Sequence, residues 1–312
     1  MTQAGLIVIG ILQVLLLLLA APLLSGFVRV TRAKIQSRKG PPLLQNYRDI
    51  AKLMKRQEVV SEQAGWIFRI TPNLTLSCMI LVALLIPLIQ LQSPLGMVGD
   101  LIVVVYLFAL PRFLFALSGL ESGSTFTGIG ARRELLISSL IEPSLVLAVF
   151  VVALLAGSTN LGTISTKVAT GEINYSMGFL LSMIAFAFAT YVEMGKLPFD
   201  LAEAEQEIQE GPLSEYSGKS LAIMKWSIYL KQLVLVALFF SLFLPFGSME
   251  EFTLSAFLLA LITLSLKVIL FYLIVAVIEN VMARMRFMKT PAATWLALGA
   301  AVLSFVFYLA NV

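Results

Sequence analysis

The stretch Leu6-Ile-Val-Ile-Gly-Ile-Leu-Gln-Val-Leu-Leu-Leu-Leu-Leu-Ala-Ala-Pro-Leu-Leu-Ser-Gly-Phe-Val28 contains no charged side chain. A membrane-spanning helix needs about 20 mainly apolar residues. The run is too long for the apolar part of a secretory signal peptide, which has roughly 7–15 residues, and Met1–Gly5 carries no Lys or Arg. We therefore interpret it as a first membrane-spanning helix and expect no cleaved signal peptide.

The whole chain has the composition of a membrane protein. Of its 312 residues, 59% are hydrophobic and only 13% are charged, and the mean hydropathy is +0.94. Soluble domains average roughly 25% charged residues. The composition therefore predicts an all-α integral membrane protein.

Continuing outward from the first run, seven further apolar runs are long enough to span a membrane. The eight candidate spans, which we treat as one membrane domain over residues 1–312, are 5–28, 71–92, 98–120, 135–157, 177–197, 221–246, 252–281 and 292–311. No internal repeat is visible, which argues against the inverted-repeat architecture of many transporters.

The charge of the loops predicts the orientation. With eight spans, the loops after the odd-numbered spans carry sixteen Lys and Arg residues and the opposite side carries only Lys167. Basic loops stay in the cytoplasm, so we expect both termini outside. Two cytoplasmic loops stand out, a basic one at residues 29–70 and an acidic one at residues 198–220.

The basic loop contains a pattern typical of a helix at the membrane surface. Pro42 is suited to the first turn of a helix. Apolar residues then repeat on one face from Leu43 to Met54, while the other side carries basic residues, namely Arg48, Lys52, Lys55 and Arg56. This predicts an amphipathic helix. It could anchor the loop in anionic lipid or form a docking shelf for a soluble partner.

Ionisable residues interrupt the apolar spans. A charge at the bilayer centre costs roughly 2.5–3.5 kcal/mol, so such residues face the protein interior, pair with one another or mark a proton or ion path. Pro143 follows one of them, Glu142, and frees a backbone carbonyl that could bind water. Lys196, Arg112 and Lys225 could instead reach the membrane surface. The complete set is Arg112, Glu142, Glu193, Lys196, Lys225, Lys231, Lys267 and Glu279.

The acidic loop carries the most specific pattern, Pro198-Phe-Asp-Leu-Ala-Glu-Ala-Glu-Gln-Glu-Ile-Gln-Glu210. Asp200, Glu203, Glu207 and Glu210 are spaced 3, 4 and 3 residues apart, which on a helix places them on one face. Seven residues before Asp200, Glu193 continues the stripe into the fifth span. Like charges at this spacing repel unless cations compensate them, and groups that exchange protons arise in this way. A solvated acidic loop is the alternative.

Two stretches resemble the respiratory complex I subunit 1 family. They are the acidic loop, from Pro198 to Gly218, and Ser37-Arg-Lys-Gly-Pro-Pro-Leu-Leu-Gln-Asn-Tyr-Arg-Asp-Ile-Ala-Lys-Leu-Met-Lys55. The acidic loop, continued through Met224-Lys-Trp226 and Lys231-Gln232, is similar to the branch of the family found in formate hydrogenlyase and hydrogenase-4, which are membrane-bound nickel–iron hydrogenases.

The resemblance implies a non-catalytic subunit in the inner (cytoplasmic) membrane of a prokaryote. Such a subunit anchors hydrogenase large and small subunits and iron–sulfur subunits, lies beside antiporter-like membrane subunits, and couples redox chemistry to ion movement. It implies a docking segment with Arg38, Gly40, Pro41, Gln45, Asp49 and Lys52. Our hypothesis for the proton path comprises Glu142, Glu193, Asp200, Glu203, Glu207, Glu210, Glu215, Lys225, Lys231, Lys267 and Glu279.

The cofactors are expected in partner subunits. The chain has no histidine and Cys78 is its only cysteine, whereas iron–sulfur clusters and structural zinc sites need several such ligands. We therefore expect the iron–sulfur clusters and the nickel–iron centre outside this chain, and nothing in its composition suggests that it binds nucleic acid.

One stretch departs from the quinone-using members of the family. They carry an arginine-rich segment after the seventh span, where this chain has Met282–Pro291 with only Arg284 and Arg286 as arginines. The departure favours the hydrogenase branch. The alternatives are a quinone-site subunit of a complex I NADH dehydrogenase, an independent secondary ion transporter, and a purely structural anchor.

Overall fold

The computed structural model describes residues 3–62, 64–173, 175–202 and 205–310, without the side chains of residues 3, 4, 97, 205 and 206. Within these ranges the chain is helical and forms no strand longer than an isolated bridge. The α-helices are α1 (Gln3–Ile35), α2 (Gln45–Met54), α3 (Trp66–Leu85), α4 (Leu101–Glu121), α5 (Thr125–Ala156), α6 (Leu161–Ala169), α7 (Met177–Glu193), α8 (Glu205–Ile208), α9 (Gly218–Phe243), α10 (Leu254–Val281) and α11 (Thr290–Leu309).

The prediction of an all-α membrane protein is confirmed. Seven of the described helices are long and apolar enough to cross a membrane, namely α1, α3, α4, α5, α9, α10 and α11. The remaining predicted span corresponds to α7, which is apolar but has only 17 residues. The prediction started the fourth span at residue 135, whereas α5 begins at Thr125. The charged run Arg132-Arg133-Glu134 was taken for loop, but it lies inside the helix.

The loops predicted to lie on one side do meet there. The Ser217 hydroxyl donates to the carbonyl of Val59 at 2.7 Å, which joins the acidic loop to the basic loop. The amide of Met285 donates to the carbonyl of Pro198 at 3.1 Å, which joins the segment after α10 to the acidic loop. We call this end of the bundle the basic side.

The helix α9 lies at the centre of the bundle and packs against α1, α2, α3, α6 and α7. Every residue from Gln232 to Phe243 is buried, as expected for a helix that is apolar on all faces. The outer helices α10 and α11 bury far less of their surface. Residues of α9 therefore lie where charges from several helices can meet.

Two prolines inside helices are compensated by hydrogen bonds from α9 and the segment before it. Because Pro22 has no N–H, the carbonyl of Leu18 loses its helical donor, and the indole N–H of Trp226 donates to that carbonyl at 3.0 Å. The Tyr216 hydroxyl donates to the carbonyl four residues before Pro72, also at 3.0 Å. Burial raises the pKa of Tyr216 to about 12, so this hydroxyl stays a donor at neutral pH.

The predicted amphipathic helix is present as α2, but its inner face is more polar than predicted. Ile50 is buried, as is Asn46. The Asn46 amide donates to the carbonyl of Pro22 at 3.1 Å and accepts from Arg29 at 2.9 Å, which fixes α2 against α1. Leu43 and Met54, expected on the packed face, are exposed.

Candidate functional site

Five charged side chains from four helices meet inside the bundle. Arg112 of α4 donates to Glu193 at the end of α7 and lies 3.2 Å from a carboxylate oxygen of Glu142 of α5. Lys231 of α9 lies 3.2 Å from Glu193 and 3.9 Å from Glu134 of α5. We call these five residues the buried network.

The helix geometry explains why these side chains meet. Glu134 and Glu142 are eight residues apart on α5 and so lie on one helical face. Glu193 is the last residue of α7, and Lys231 lies in the middle of α9. Arg112 is only 7% exposed and Glu193 9%. Charges this deeply buried are tolerated only when they are paired, so each member stabilises the placement of the others.

The charges of the buried network do not balance. It contains three carboxylates, Glu134, Glu142 and Glu193, but only two cations, Arg112 and Lys231. Three carboxylates close together repel one another in a medium of low dielectric constant, so binding one proton would balance the site. The arrangement is suited to taking up and releasing a proton.

A cavity of about 80 Å³ lies beside the buried network. A single water molecule needs about 10–15 Å³ of such space, so several waters fit. Glu134, Glu193 and Lys231 line it from the network, and polar residues Thr75 and Ser138 line it from α3 and α5. Asp200, Leu201 and Ala202 of the acidic loop line it as well. The cavity therefore connects the network with the acidic loop.

The acidic loop does not form the continuous helix that its spacing predicted. Among the described residues of the loop, only Glu205–Ile208 is α-helical, and Glu210 has a positive φ of 67°, which an α-helix does not allow. Glu203 lies outside the described residues. The other carboxylates of the stripe each pair with a cation from another segment, in the pairs Asp200–Arg284 at 2.8 Å, Glu207–Arg133 at 2.6 Å and Glu210–Lys225 at 3.6 Å.

The remaining candidates for the proton path lie apart from the buried network. Glu279 is buried and lies 3.4 Å from Arg32, at the end of α10 on the basic side. Lys267 donates to the carbonyls of Leu244 and Phe246, which satisfies the C-terminal end of α9. Glu215 is half-buried, in the segment before α9.

The predicted docking residues lie between the end of α1 and the last turn of α2. The Gln45 amide donates to Asp49 at 2.8 Å, and Arg38 is exposed. Gly40 turns close to α1, since a Cβ there would lie 2.7 Å from the Cβ of Ala33. Pro41 follows in the same turn, and Lys52 lies two turns into α2. Their contact with a partner stays a prediction.

Sequence reasoning missed Glu134 and underestimated Arg112. Glu134 was left out because the predicted span began one residue after it. The signal that could have found it is the spacing of eight residues to Glu142. Arg112 was expected either to pair or to reach the surface, and the structure places it at the centre of the network.

Comparisons with known proteins agree with this architecture. A family model described as NADH dehydrogenase matches residues 7–310. Formate hydrogenlyase subunit 4 of Escherichia coli (strain K12) is 50% identical over 300 residues, which cover 96% of this chain and 98% of that protein. Hydrogenase-4 component C of the same organism is 47% identical over 304 residues, covering 97% and 96%.

A solved structure, that of the membrane-bound sulfane sulfur reductase, an archaeal respiratory membrane complex, has the same fold. Its TM-score is 0.83 at 24% identity, with coverage of 97% of this chain and 99% of the other. The resemblance to the respiratory complex I subunit 1 family is confirmed by the family model and by the two Escherichia coli relatives. The chain is similar over nearly its full length to subunits of formate hydrogenlyase and hydrogenase-4. It belongs to the family described as NADH dehydrogenase, which is the family of respiratory complex I subunit 1.

Proposed function

We propose that this chain is the membrane-anchoring and proton-coupling subunit of a membrane-bound nickel–iron hydrogenase complex of the formate hydrogenlyase type. The observation that carries the proposal is the buried network, which places three carboxylates and two cations inside apolar helices. Intramembrane ionisable residues of this kind mark proton or ion paths. The similarity to formate hydrogenlyase subunit 4 and hydrogenase-4 component C supports the choice of complex.

The coupling step begins in the acidic loop. A redox change in a docked partner shifts this loop and alters the pairing of Asp200 with Arg284. Because Asp200 also lines the cavity of about 80 Å³, a change in its charge alters the electric field at Glu134 and Glu193. Water in the cavity then carries a proton between the loop and the network. Moving one charge across 100 mV requires about 2.3 kcal/mol, which the redox reaction supplies.

Glu142 is the member of the network placed to pass the proton onward. Its side chain is 36% exposed, whereas that of Glu193 is 4% exposed. It lies midway along α5, directly before Pro143, so it reaches the lateral surface of the bundle. An antiporter-like membrane subunit packed against α5 would receive the proton there.

The partners and cofactors follow from the same proposal. The hydrogenase and iron–sulfur subunits dock on the basic side, against the loops at 29–70 and 198–220, and carry the iron–sulfur clusters and the nickel–iron centre. The complex lies in the inner membrane of a prokaryote with the basic side in the cytoplasm, because basic loops are retained there. Both termini then lie outside.

The substitution Glu142→Gln tests the coupling role. In the complete complex, in its own membrane, we expect Glu142→Gln to assemble normally and to abolish the link between hydrogen production and proton movement. The measurement is hydrogen production together with acidification of the vesicle lumen. Glu203→Gln in the acidic loop is expected to act in the same way.

Glu250→Gln provides a matched control, because Glu250 is an exposed carboxylate on the side opposite the acidic loop. Unchanged proton-linked hydrogen production in both Glu142→Gln and Glu203→Gln would refute the coupling role.

Purification in mild detergent tests the assignment of the complex. We expect a nickel-containing subunit with paired Cys-x-x-Cys motifs to co-purify. Co-purification of an NADH-oxidising arm, together with protection of this chain by a quinone analogue, would favour the quinone-site alternative.

A further inference from the structure

A cleft of about 710 Å³ opens on the basic side, apart from the buried network. Its walls are the ends of α1, α9 and α10, the segment after α7, and the inner face of α2. Helix ends and an amphipathic helix lie at the level of the lipid headgroups. The cleft is therefore placed at the surface of the membrane.

The lining of the cleft carries a surplus of positive charge. Seven Lys and Arg residues line it, against four Asp and Glu residues. Three of the acids are already paired with lining cations, as Arg32–Glu279, Lys225–Glu210 and Arg284–Asp200, and the fourth, Asp49, accepts from Gln45.

Four lining cations form no salt bridge with any residue that the structure describes, namely Arg29, Lys52, Arg56 and Lys196. They come from α1, α2, the turn after α2 and the segment after α7, so they surround the opening from several directions. A surplus of this kind is satisfied by an anion that several cations contact together.

The cleft is also partly apolar. Ile50 and Leu53 of α2 line it together with Leu221 and Ile228 of α9. On the outer side of α2, Leu44 is 50% exposed and Met54 40%. An amphipathic helix with exposed apolar residues lies within the membrane surface, so lipid molecules are present beside the cleft.

We propose that the cleft is a binding site for an anionic phospholipid, whose phosphate lies among Lys52, Arg56 and Lys196 and whose glycerol and upper acyl chain lie against Ile50 and Leu53. The charge complementarity decides between amphiphiles. A neutral quinone headgroup leaves the surplus cations unpaired, whereas a phosphate pairs with them. The site does not depend on proton coupling. It gives a lipid ligand to the amphipathic helix α2, which also carries the predicted docking residues Gln45, Asp49 and Lys52.

The test uses the full chain in nanodiscs and measures retained lipid by native mass spectrometry. With phosphatidylglycerol and phosphatidylethanolamine supplied together, we expect phosphatidylglycerol to be retained preferentially. Each Lys or Arg near a phospholipid surface contributes about fivefold to affinity, so Lys52→Gln and Arg56→Gln should each weaken retention of phosphatidylglycerol by about that factor.

Lys55→Gln is the matched control, because Lys55 is an exposed lysine of the same helix end that does not line the cleft. An equal loss in Lys55→Gln and Lys52→Gln would mean diffuse attraction to a basic surface, and the proposal would be wrong. Retention of menaquinone in preference to phosphatidylglycerol would overturn it as well. So would displacement of the lipid by inorganic phosphate at equal concentration, which would assign the site to a free anion.

Discussion

The buried network and the acidic loop both pair carboxylates with basic side chains, but in two different environments. In the network, Arg112 and Glu193 are almost completely buried, and Arg112 contacts two carboxylates. In the acidic loop, Asp200, Glu207 and Glu210 each pair with one cation, and the Asp200 and Arg284 side chains are 22% and 24% exposed. The ion pairs of the network are shared between helices around an almost completely buried Arg112 and Glu193, and those of the acidic loop are pairwise and partly exposed.

The difference teaches which pairs hold the protein together and which can change. Removing one partner of a buried ion pair leaves an unpaired charge at low dielectric and costs about 3–5 kcal/mol. Exposed pairs contribute only about 0.2–1 kcal/mol. The pairs of the acidic loop therefore separate at little cost, as the proposed response to a partner requires, while the network keeps its geometry.

The largest effect is expected from Arg112→Gln. It removes the cation that Glu142 and Glu193 share, so the network keeps three carboxylates with Lys231 alone. We expect a loss of about 3–5 kcal/mol in the free energy of unfolding, measured by reversible unfolding in mixed detergent micelles.

Two further variants sharpen this prediction. Arg48→Gln makes the same charge change on an exposed residue of α2 and should leave stability unchanged. Arg112→Lys keeps the charge but loses the planar fork that donates to two carboxylates, so an intermediate loss is expected. If Arg112→Gln were as stable as Arg48→Gln, the network would not be the structural element described above.

Much of the fold could be predicted from the sequence, because apolar length is a strong signal. The run Leu6–Val28 needed no further information to be recognised as a span, and the loop charges gave a span count that the contacts between Val59 and Ser217 support. The start of α5 could not be predicted in this way. Its first turns are held by tertiary packing, where Gly130 lies so close to Gly211 and Pro212 that a Cβ would clash, and no local pattern reveals that contact.

The candidate site could be predicted in part. Glu142, Glu193 and Lys231 were chosen because charges inside apolar spans need partners, and they do meet. Which charges pair could not be read from spacing, because pairing depends on the rotation of α4 and α7 about their axes. The one-face model for the acidic loop was wrong, since Glu210 has a positive φ and Asp200 and Glu207 pair with cations of two other segments. The spacing of the carboxylates carries no information about those partners.

A smaller effect is expected from Glu134→Gln, which tests whether the network contains one carboxylate more than its structure needs. Glu134 lies 3.9 Å from Lys231 without a hydrogen bond between them, and it borders the cavity. Its replacement balances the charges, so we expect stability to change by no more than about 1 kcal/mol, the range of pairs in contact with water. Glu193→Gln, which breaks contacts to both cations, should cost about 3–5 kcal/mol. Equal losses in the two variants, in the same unfolding assay, would contradict the distinction.

The smallest effect is expected in the acidic loop, for the pair Asp200–Arg284. A double-mutant cycle with Asp200→Asn and Arg284→Gln isolates the interaction of the two side chains, because effects on other contacts cancel. We expect a coupling energy of about 0.2–1 kcal/mol in the unfolding assay. It should decrease between 0.01 and 1 M salt, over which the screening length falls from about 30 to about 3 Å. A coupling energy of several kcal/mol that salt leaves unchanged would place this pair in the same class as Arg112 and Glu193. The acidic loop would then be a rigid part of the bundle, unable to respond to a partner at low cost.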